Sequence, residues 1–315
     1  MKKSIKMIGV LLSLVMVAML CSCEPEVDGP DSPTNPTNPT DPTNPDTVVF
    51  DENGASNAVF SVAEGRTVHF SRGNLQYQAS TDTWRFAEHQ YDCIGDDNAN
   101  ISSTYSGWID LFGWGTSGWN SGTTAYQPWS TSMTSSDYCP GGSYSNNLMG
   151  SCANADWGVY NRISNGGNQA GMWRTLTKDE WNYLLEERNA STVSGTENAR
   201  FVKATIGSVT GLIVFPDRFT LPTGISVMAS CINSASAAFA GITYTTEQWS
   251  QLEGNGALFL PAAGYRCGSG VYSVGSHGIY WSSTYSGENF AWCLSFVHSS
   301  SDYRSRGLSV RLVRD

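Results

Sequence analysis

The sequence predicts an α+β fold, with irregular antiparallel strands and long Gly-, Ser- and Trp-rich loops packed around one clear amphipathic helix over 177–189. Two observations carry this. Only the stretch Trp173 to Arg188, WRTLTKDEWNYLLEER, combines several independent helix signals. Thr177 is a good N-cap, Glu180 completes a capping box, and Leu176 can staple onto Trp181. Trp181, Leu184 and Leu185 then recur at i, i+3 and i+4 on one face, with Lys178, Asn182, Glu186 and Arg188 on the other. The second observation is that most of the remainder consists of short β-like runs broken by Gly, Ser and Asn.

The chain opens with Lys2, Lys3 and Lys6, an apolar run from Met7 to Leu20, and small residues ending at Cys23. Such a run is too short and wrongly flanked for a membrane-spanning helix and reads as a secretory signal over 1–22. Leu20-Cys21-Ser22-Cys23 has the form of a bacterial lipobox, with Cys23 the expected lipidation site and Cys21 a weaker one; the alternative is an ordinary cleaved signal. Residues 23–47, rich in Pro, Thr and Asn, have nothing to bury and cannot build a helix or a central strand. As extended polyproline, ~16 residues at roughly 3.1 Å each form a spacer about 50 Å long. The acidic residues after Cys23 resemble surface-export signals of Bacteroidetes lipoproteins. That resemblance implies a lipid anchor in the outer membrane with the domain, 48–315, facing outward.

The formal charge is −10 and becomes more acidic once the signal lysines leave, which makes nucleic acid an unsuitable partner. Charged residues are only 15%, beside 11 Trp, 14 Tyr, 12 Phe and 32 Gly. That balance suits loop-rich extracellular β structure whose aromatics anchor the loops. Six cysteines fall in the domain: Cys93, Cys139, Cys152, Cys231, Cys267 and Cys293. An oxidising compartment permits disulfides, and the short Cys139–Cys152 loop makes that pair the first candidate, although pairing is not readable from sequence. No zinc-type cysteine spacing occurs.

In chain order, short strands are expected at 48–50, 58–62 and 67–70, followed by a hairpin of 74–78 with 83–86. The loop region 105–171 carries the steps Gly107-Trp108, Gly113-Trp114 and Gly118-Trp119. These tryptophans either form a platform for sugar rings or, as is commoner, pin the loops to a core. After the helix, strands are expected at 199–204 and 212–215, a short helix opening at Thr245, and a buried strand at 258–260. Three closing strands follow at 278–284, 290–296 and 307–315. In the second, Phe290, Trp292, Leu294 and Phe296 share one face, expected to pack inward, and Ala291, Cys293 and Ser295 share the other. The polar, aperiodic segment 297–306 reads as an exposed loop.

The residues Trp173, Arg174, Leu176, Thr177, Glu180, Trp181 and Tyr183 resemble a helix-opening motif of the formylglycine-generating (sulfatase-modifying) family, close to W-R-L-P-T-x-x-E-W-x-Y. The motif's proline falls at Thr175 or Leu176 here. The later order LPAAGYR, YWSST, AWCLSF and RSRGLSVRLVRD resembles the Fibrobacter succinogenes major paralogous domain and allied surface proteins. These relatives imply a C-type-lectin-like fold over roughly 60–315. The same fold carries the variable proteins of diversity-generating retroelements, whose altered residues fall in a segment comparable to 278–312.

Catalytic signatures are missing from the sequence: there is no G-x-S-x-G, no H-E-x-x-H and no phosphate-cradling glycine loop. A formylglycine-type cysteine pair would have to use Cys267 and Cys293, without the surrounding family pattern. No Glu-Pro-Asn, Gln-Pro-Asp or Trp-Asn-Asp triplet supports calcium-dependent sugar binding, and Asp96-Asp97-Asn98 is as readily a solvated turn as an ion site. No cofactor or metal is therefore expected. The expectation is a non-catalytic binding protein that meets a glycan or protein ligand through Tyr285, Glu288, Asn289, His298, Asp302, Tyr303 and Arg304. Tyrosine supplies rigid amphipathic area and the others supply hydrogen bonds. Arg304 and Arg306 either hold an anionic group or pair with local carboxylates. The alternatives are a structural or filament subunit associating through a sheet edge, and an oxidising enzyme.

Overall fold

Gly65, at φ +69°, turns the chain between β1 (Phe60–Ala63) and β2 (Arg66–Phe70), and the left-handed Asp82 does the same between β3 (Leu75–Gln78) and β4 (Thr83–Phe86). The computed structural model describes residues 50–119 and 126–315. The signal, the spacer with Cys23, and Val48 and Val49 of the first expected strand lie outside the described residues. Beyond β4, a Gly- and Ser-rich stretch of 3₁₀ turns leads to the short α1 (Trp157–Tyr160) and β5 (Arg174–Thr175).

The expected helix starts where its caps place it. In α2 (Lys178–Asn182), Thr177 Oγ1 accepts the Glu180 N–H at 3.1 Å and Glu180 Oε2 accepts the Thr177 N–H at 2.8 Å. Glu180 is buried and ion-paired to Arg66 at 2.7 Å and Arg174 at 2.8 Å; Arg174 also holds Asp315 at 2.6 Å. The Trp-Arg…Glu-Trp motif thus ties the β1–β2 hairpin, the helix and the C-terminus together, a framework role.

The helix stops sooner than expected and changes character. Tyr183–Glu187 is a π turn closed by Arg188 N–H to Tyr183 O at 2.9 Å. The wider turn shifts the phase of the helix. Arg188, which a 3.6-residue period places in solvent, is fully buried and paired to Asp217 at 2.7 Å.

β6 (Phe201–Ile206) and β7 (Val209–Val214) form a hairpin in unbroken register from Phe201↔Val214 to Ile206↔Val209. β8 (Thr243–Tyr244) pairs parallel to β6, and β9 (Leu258–Pro261) antiparallel to β7. Between these two lies α3 (Thr246–Gly254), with a second complete capping box from Thr245 and Gln248. This is the short helix expected to open at Thr245, and because it is longer than α2 the expectation of one clear helix is corrected. Only Trp249 and Leu252 of it are buried, so its apolar stripe is too thin to stand out in sequence.

The chain closes with the hairpin β10 (Tyr265–Cys267) and β11 (Gly270–Tyr272), the sheet β12 (Ile279–Tyr285), β13 (Phe290–Ser295) and β14 (His298–Tyr303), and β15 (Leu312–Arg314). β15 inserts between β2 and β5, giving the order β1-β2-β15-β5. The architecture is mixed α/β: small, mostly antiparallel sheets and few helices around three apolar clusters.

Two expectations about the C-terminal sheet are corrected. Segment 297–306 is largely the edge strand β14, paired from Ser295↔His298 to Phe290↔Tyr303. Its turn is Phe296-Val297, with Phe296 at φ +54°, so no Gly or Asn marks it. The inward face of β13 is also different. Ala291 and Cys293 are buried, together with Leu294, whereas Phe290, Trp292 and Phe296 are half-buried. The smaller Ala291 and Cys293 face the core, and on the other face the Trp292 ring is covered by Lys178, whose Nζ lies 4.5 Å from its centroid.

Candidate functional site

The expected contact residues divide between the two ends of β13 and β14. Tyr285 ends β12, its N–H donating to Asn147 Oδ1 at 2.9 Å. Glu288 and Asn289 are exposed in the following turn, and Tyr303, at the near end of β14, is 47% exposed. These four share one corner. His298 does not join them. It begins β14 opposite Ser295, where Nδ1 lies 3.8 Å from Glu186 Oε1, and the length of β14 separates it from Tyr303 by roughly 17 Å.

Two more of the expected contacts are corrected. Arg304 is 0% exposed and cannot meet a ligand. Its Nε donates to Phe290 O at 3.1 Å, and its Nη2 to Gly287 O at 2.8 Å and to Tyr144 O. Its Nη1 lies 3.3 Å from Cys139 Sγ, and the guanidinium stacks 4.7 Å over Trp114. Burial pulls Arg304 below its ordinary pKa and pushes the Cys139 thiol up, the latter opposed by Arg304 itself. Arg304 is the hub that holds the β12–β13 turn against the loop carrying Tyr144. Asp302, mostly buried, pairs with Arg306 at 2.9 Å and accepts the Tyr303 N–H at 2.7 Å, so it positions Arg306 and the strand end. Of the two readings for Arg306, pairing with a local carboxylate is the one observed.

Around this corner the structure assembles side chains that sequence patterning does not connect. Phe290 and Tyr303 pack with centroids 4.6 Å apart. Arg306 lies 5.7 Å from the Tyr303 centroid and 4.8 Å from that of Tyr265, and Tyr265 stacks on Tyr272 at 5.6 Å. The result is a continuous row, Phe290–Tyr303–Arg306–Tyr265–Tyr272. Met133 flanks the β10–β11 turn, its Sδ 3.4 Å from where a Cβ on Gly268 would sit. Of the ten exposed large apolar side chains among the described residues, five belong to this corner: Met133, Tyr144, Tyr272, Tyr285 and Tyr303. One signal for the missed pair was present: Tyr265 and Tyr272 flank the two-residue turn Gly268-Ser269 symmetrically, as cross-strand partners in a hairpin must.

The other candidates resolve into structural roles. Trp114 is buried and its Nε1 donates to Ser282 O at 2.8 Å, and Trp119 packs against the same core. Trp108 lies under Arg85, 3.8 Å from guanidinium carbon to centroid. These tryptophans pin the loops. Asn98 is spent on Asp110, donating to its Oδ1 at 2.8 Å and accepting its N–H at 3.0 Å. Burial pushes Asp110 up to about 6 in spite of these donors. No group of three or more metal-ligating side chains occurs among the described residues. All six cysteines of the domain are free, so the Cys139–Cys152 bond expected first is not formed. Burial pushes the Cys293 thiol well above its ordinary value, away from a reactive thiolate.

No protein-family model matches the chain, and no curated protein or solved structure is significantly similar to it.

Proposed function

We propose that the protein is a surface-displayed binding protein without catalytic activity, lipid-anchored through Cys23 in the outer membrane. On this reading the Pro-rich spacer holds a C-type-lectin-like domain, 48–315, off the membrane, and a glycan or protein ligand docks at the corner formed by the β12–β13 turn and the end of β14. One observation carries the reading. Exposed tyrosines crowd one corner, on a backbone braced from beneath by the sealed Arg304 hub. Rigid, exposed tyrosine is what binding surfaces use to gain contact area at low entropic cost. The raised Cys293 thiol weighs against the oxidising-enzyme alternative. The filament alternative draws on a separate feature, the edge position of β14.

The test is binding of the full-length chain to glycan and protein arrays, beside a variant carrying Tyr285→Ser and Tyr303→Ser. Loss of binding with an unchanged melting temperature is the expected result. Equal binding by both proteins, or by neither, would remove the site from this corner.

A further inference from the structure

The row Phe290–Tyr303–Arg306–Tyr265–Tyr272 distinguishes between the two ligand classes. A sugar ring stacks its C–H face flat on an open aromatic face. Here the rings pack on one another and on Arg306 in tilted and stacked pairs, so no isolated ring stands out as a flat platform. Tyr303 lies between Phe290 and Arg306, and Tyr265 between Arg306 and Tyr272, with every neighbour within 6 Å. Tyr303 and Tyr272 stay about half exposed, at 47% and 51%, and Arg306 is half-buried between them. The charge at the corner is small. Asp302 neutralises Arg306 and Arg304 is sealed, which leaves two carboxylates, the exposed Glu288 and the half-buried Asp137, beside the Cys139–Arg304 contact. An anionic polymer would find no free cation here.

Tyrosine, methionine and arginine, low charge at the centre and a polar rim are the composition of protein-binding hot spots. The rim here is the serine-rich β14. The rings order one another before any partner arrives, so little side-chain freedom remains to be lost on binding. Met133, 67% exposed beside the β10–β11 turn, adds an adaptable apolar contact at the edge.

We infer that this corner is a protein-docking surface whose partner presents a weakly charged, apolar-anchored epitope, with Tyr303 and Tyr272 as the energetic anchors. The inference rests on the binding reading above and narrows it: Tyr272, Tyr265 and Met133 extend the surface onto the β10–β11 hairpin, and the partner is protein.

The full chain is panned against a phage-displayed library of random linear peptides, and recovered peptides are titrated against wild type, Tyr303→Ala, Tyr272→Ala and Met228→Ala. Met228 is equally exposed but touches none of the row. The expected result is a set of apolar, weakly charged peptides that bind both tyrosine variants about tenfold or more weakly and Met228→Ala as wild type, with all melting temperatures alike. Failure to recover peptides, or peptides indifferent to both tyrosine changes, overturns the inference. Binding of neutral oligosaccharides that is lost in Tyr303→Ala overturns the protein class while keeping the broader binding reading. Self-association of wild type in sedimentation, abolished by Tyr272→Ala, overturns it in favour of a second copy of the chain.

Discussion

The sheet β8-β6-β7-β9 with α3, and the corner built from β10 to β14, are held together by different means. In the first, strands in unbroken register satisfy their own backbone, and the interior is apolar: Val202, Ala204, Ile206, Ile213, Trp249, Leu252 and Phe259 are all buried in one cluster. In the second, β10–β11 and β12–β13–β14 are laddered too, but the turns and loops that converge beside them share no ladder, and there buried arginines do the pairing. Arg304 serves three carbonyls; Arg266 donates to Ser130 O at 3.1 Å and to Gly268 O. Away from the corner, where the C-terminal segment meets β9, Arg311 donates to Gln90 Oε1 at 2.8 Å and Asn74 Oδ1 at 3.3 Å, and Gln90 in turn accepts the Phe259 N–H. Among the described residues none of the three forms a salt bridge to a carboxylate, whereas Arg188, beside the sheet, has Asp217. A guanidinium offers five donors in a fixed fork, so one side chain can satisfy carbonyls from several segments that share no ladder. The lesson is that an irregular surface can be made rigid by concentrating its backbone hydrogen bonds on a few buried side chains, which also makes it vulnerable at those points.

The contrast is sharpest at Arg304. Arg304→Met keeps the apolar stem and removes every donor, orphaning three carbonyls, and should cost about 4 kcal/mol by urea denaturation. It should also release the β12–β13 turn, seen as faster amide exchange at Asn289 and Phe290. A loss below ~1 kcal/mol would break the comparison. Ile213→Ala in β7, within the cluster of that sheet, should cost about 3 kcal/mol through the cavity it leaves, with no change in exchange at the corner. Coupling between the two substitutions beyond ~0.5 kcal/mol in the double mutant would show that the regions are not independent.

The smallest expected effect is on pH. Asp110 and Asp156, both on the loop-rich side, are pushed up to about 6 by burial from 3.8. Across that interval the folded chain holds protons that the unfolded chain has released. Their contribution to stability is therefore full below 3.8 and is lost as pH rises through about 6. Asp315, held down by its hydrogen bond to Arg174, acts oppositely, losing its contribution as pH falls below its ordinary value. The melting temperature should climb by a few degrees from pH 7 to 5 and drop below pH 4. About half of the slope should remain in Asp156→Asn, carried by Asp110, and a flat profile in the Asp110→Asn/Asp156→Asn double variant would assign the effect.

Local signals in the sequence were sufficient wherever an element is stabilised by its own neighbours. Thr177 and Glu180 mark the start of α2 because both halves of a capping box lie within four residues, and Leu75↔Phe86 to Gln78↔Thr83 follows from alternation on either side of a turn. Tyr285, Glu288, Asn289 and Tyr303 were legible as site candidates because exposed polar and aromatic residues near strand ends need no distant partner to be exposed. Arg304 was misread for the converse reason: an arginine beside a polar segment looks solvated until Tyr144, Gly287 and Phe290 bring their carbonyls to it.

What the sequence determined by itself is the set of local elements: the capping box that opens α2, the helix start at Thr245, the period-two strands and the mixed α/β class, each set by side chains within a few residues of one another. Tertiary structure alone decided that β14 is a strand, that Arg188, Arg266, Arg304 and Arg311 are interior, and that Tyr265, Tyr272 and Tyr303 form one row. Those outcomes depend on which carbonyls, strand edges and ring faces distant segments leave unsatisfied when they meet, and a local pattern carries no record of them.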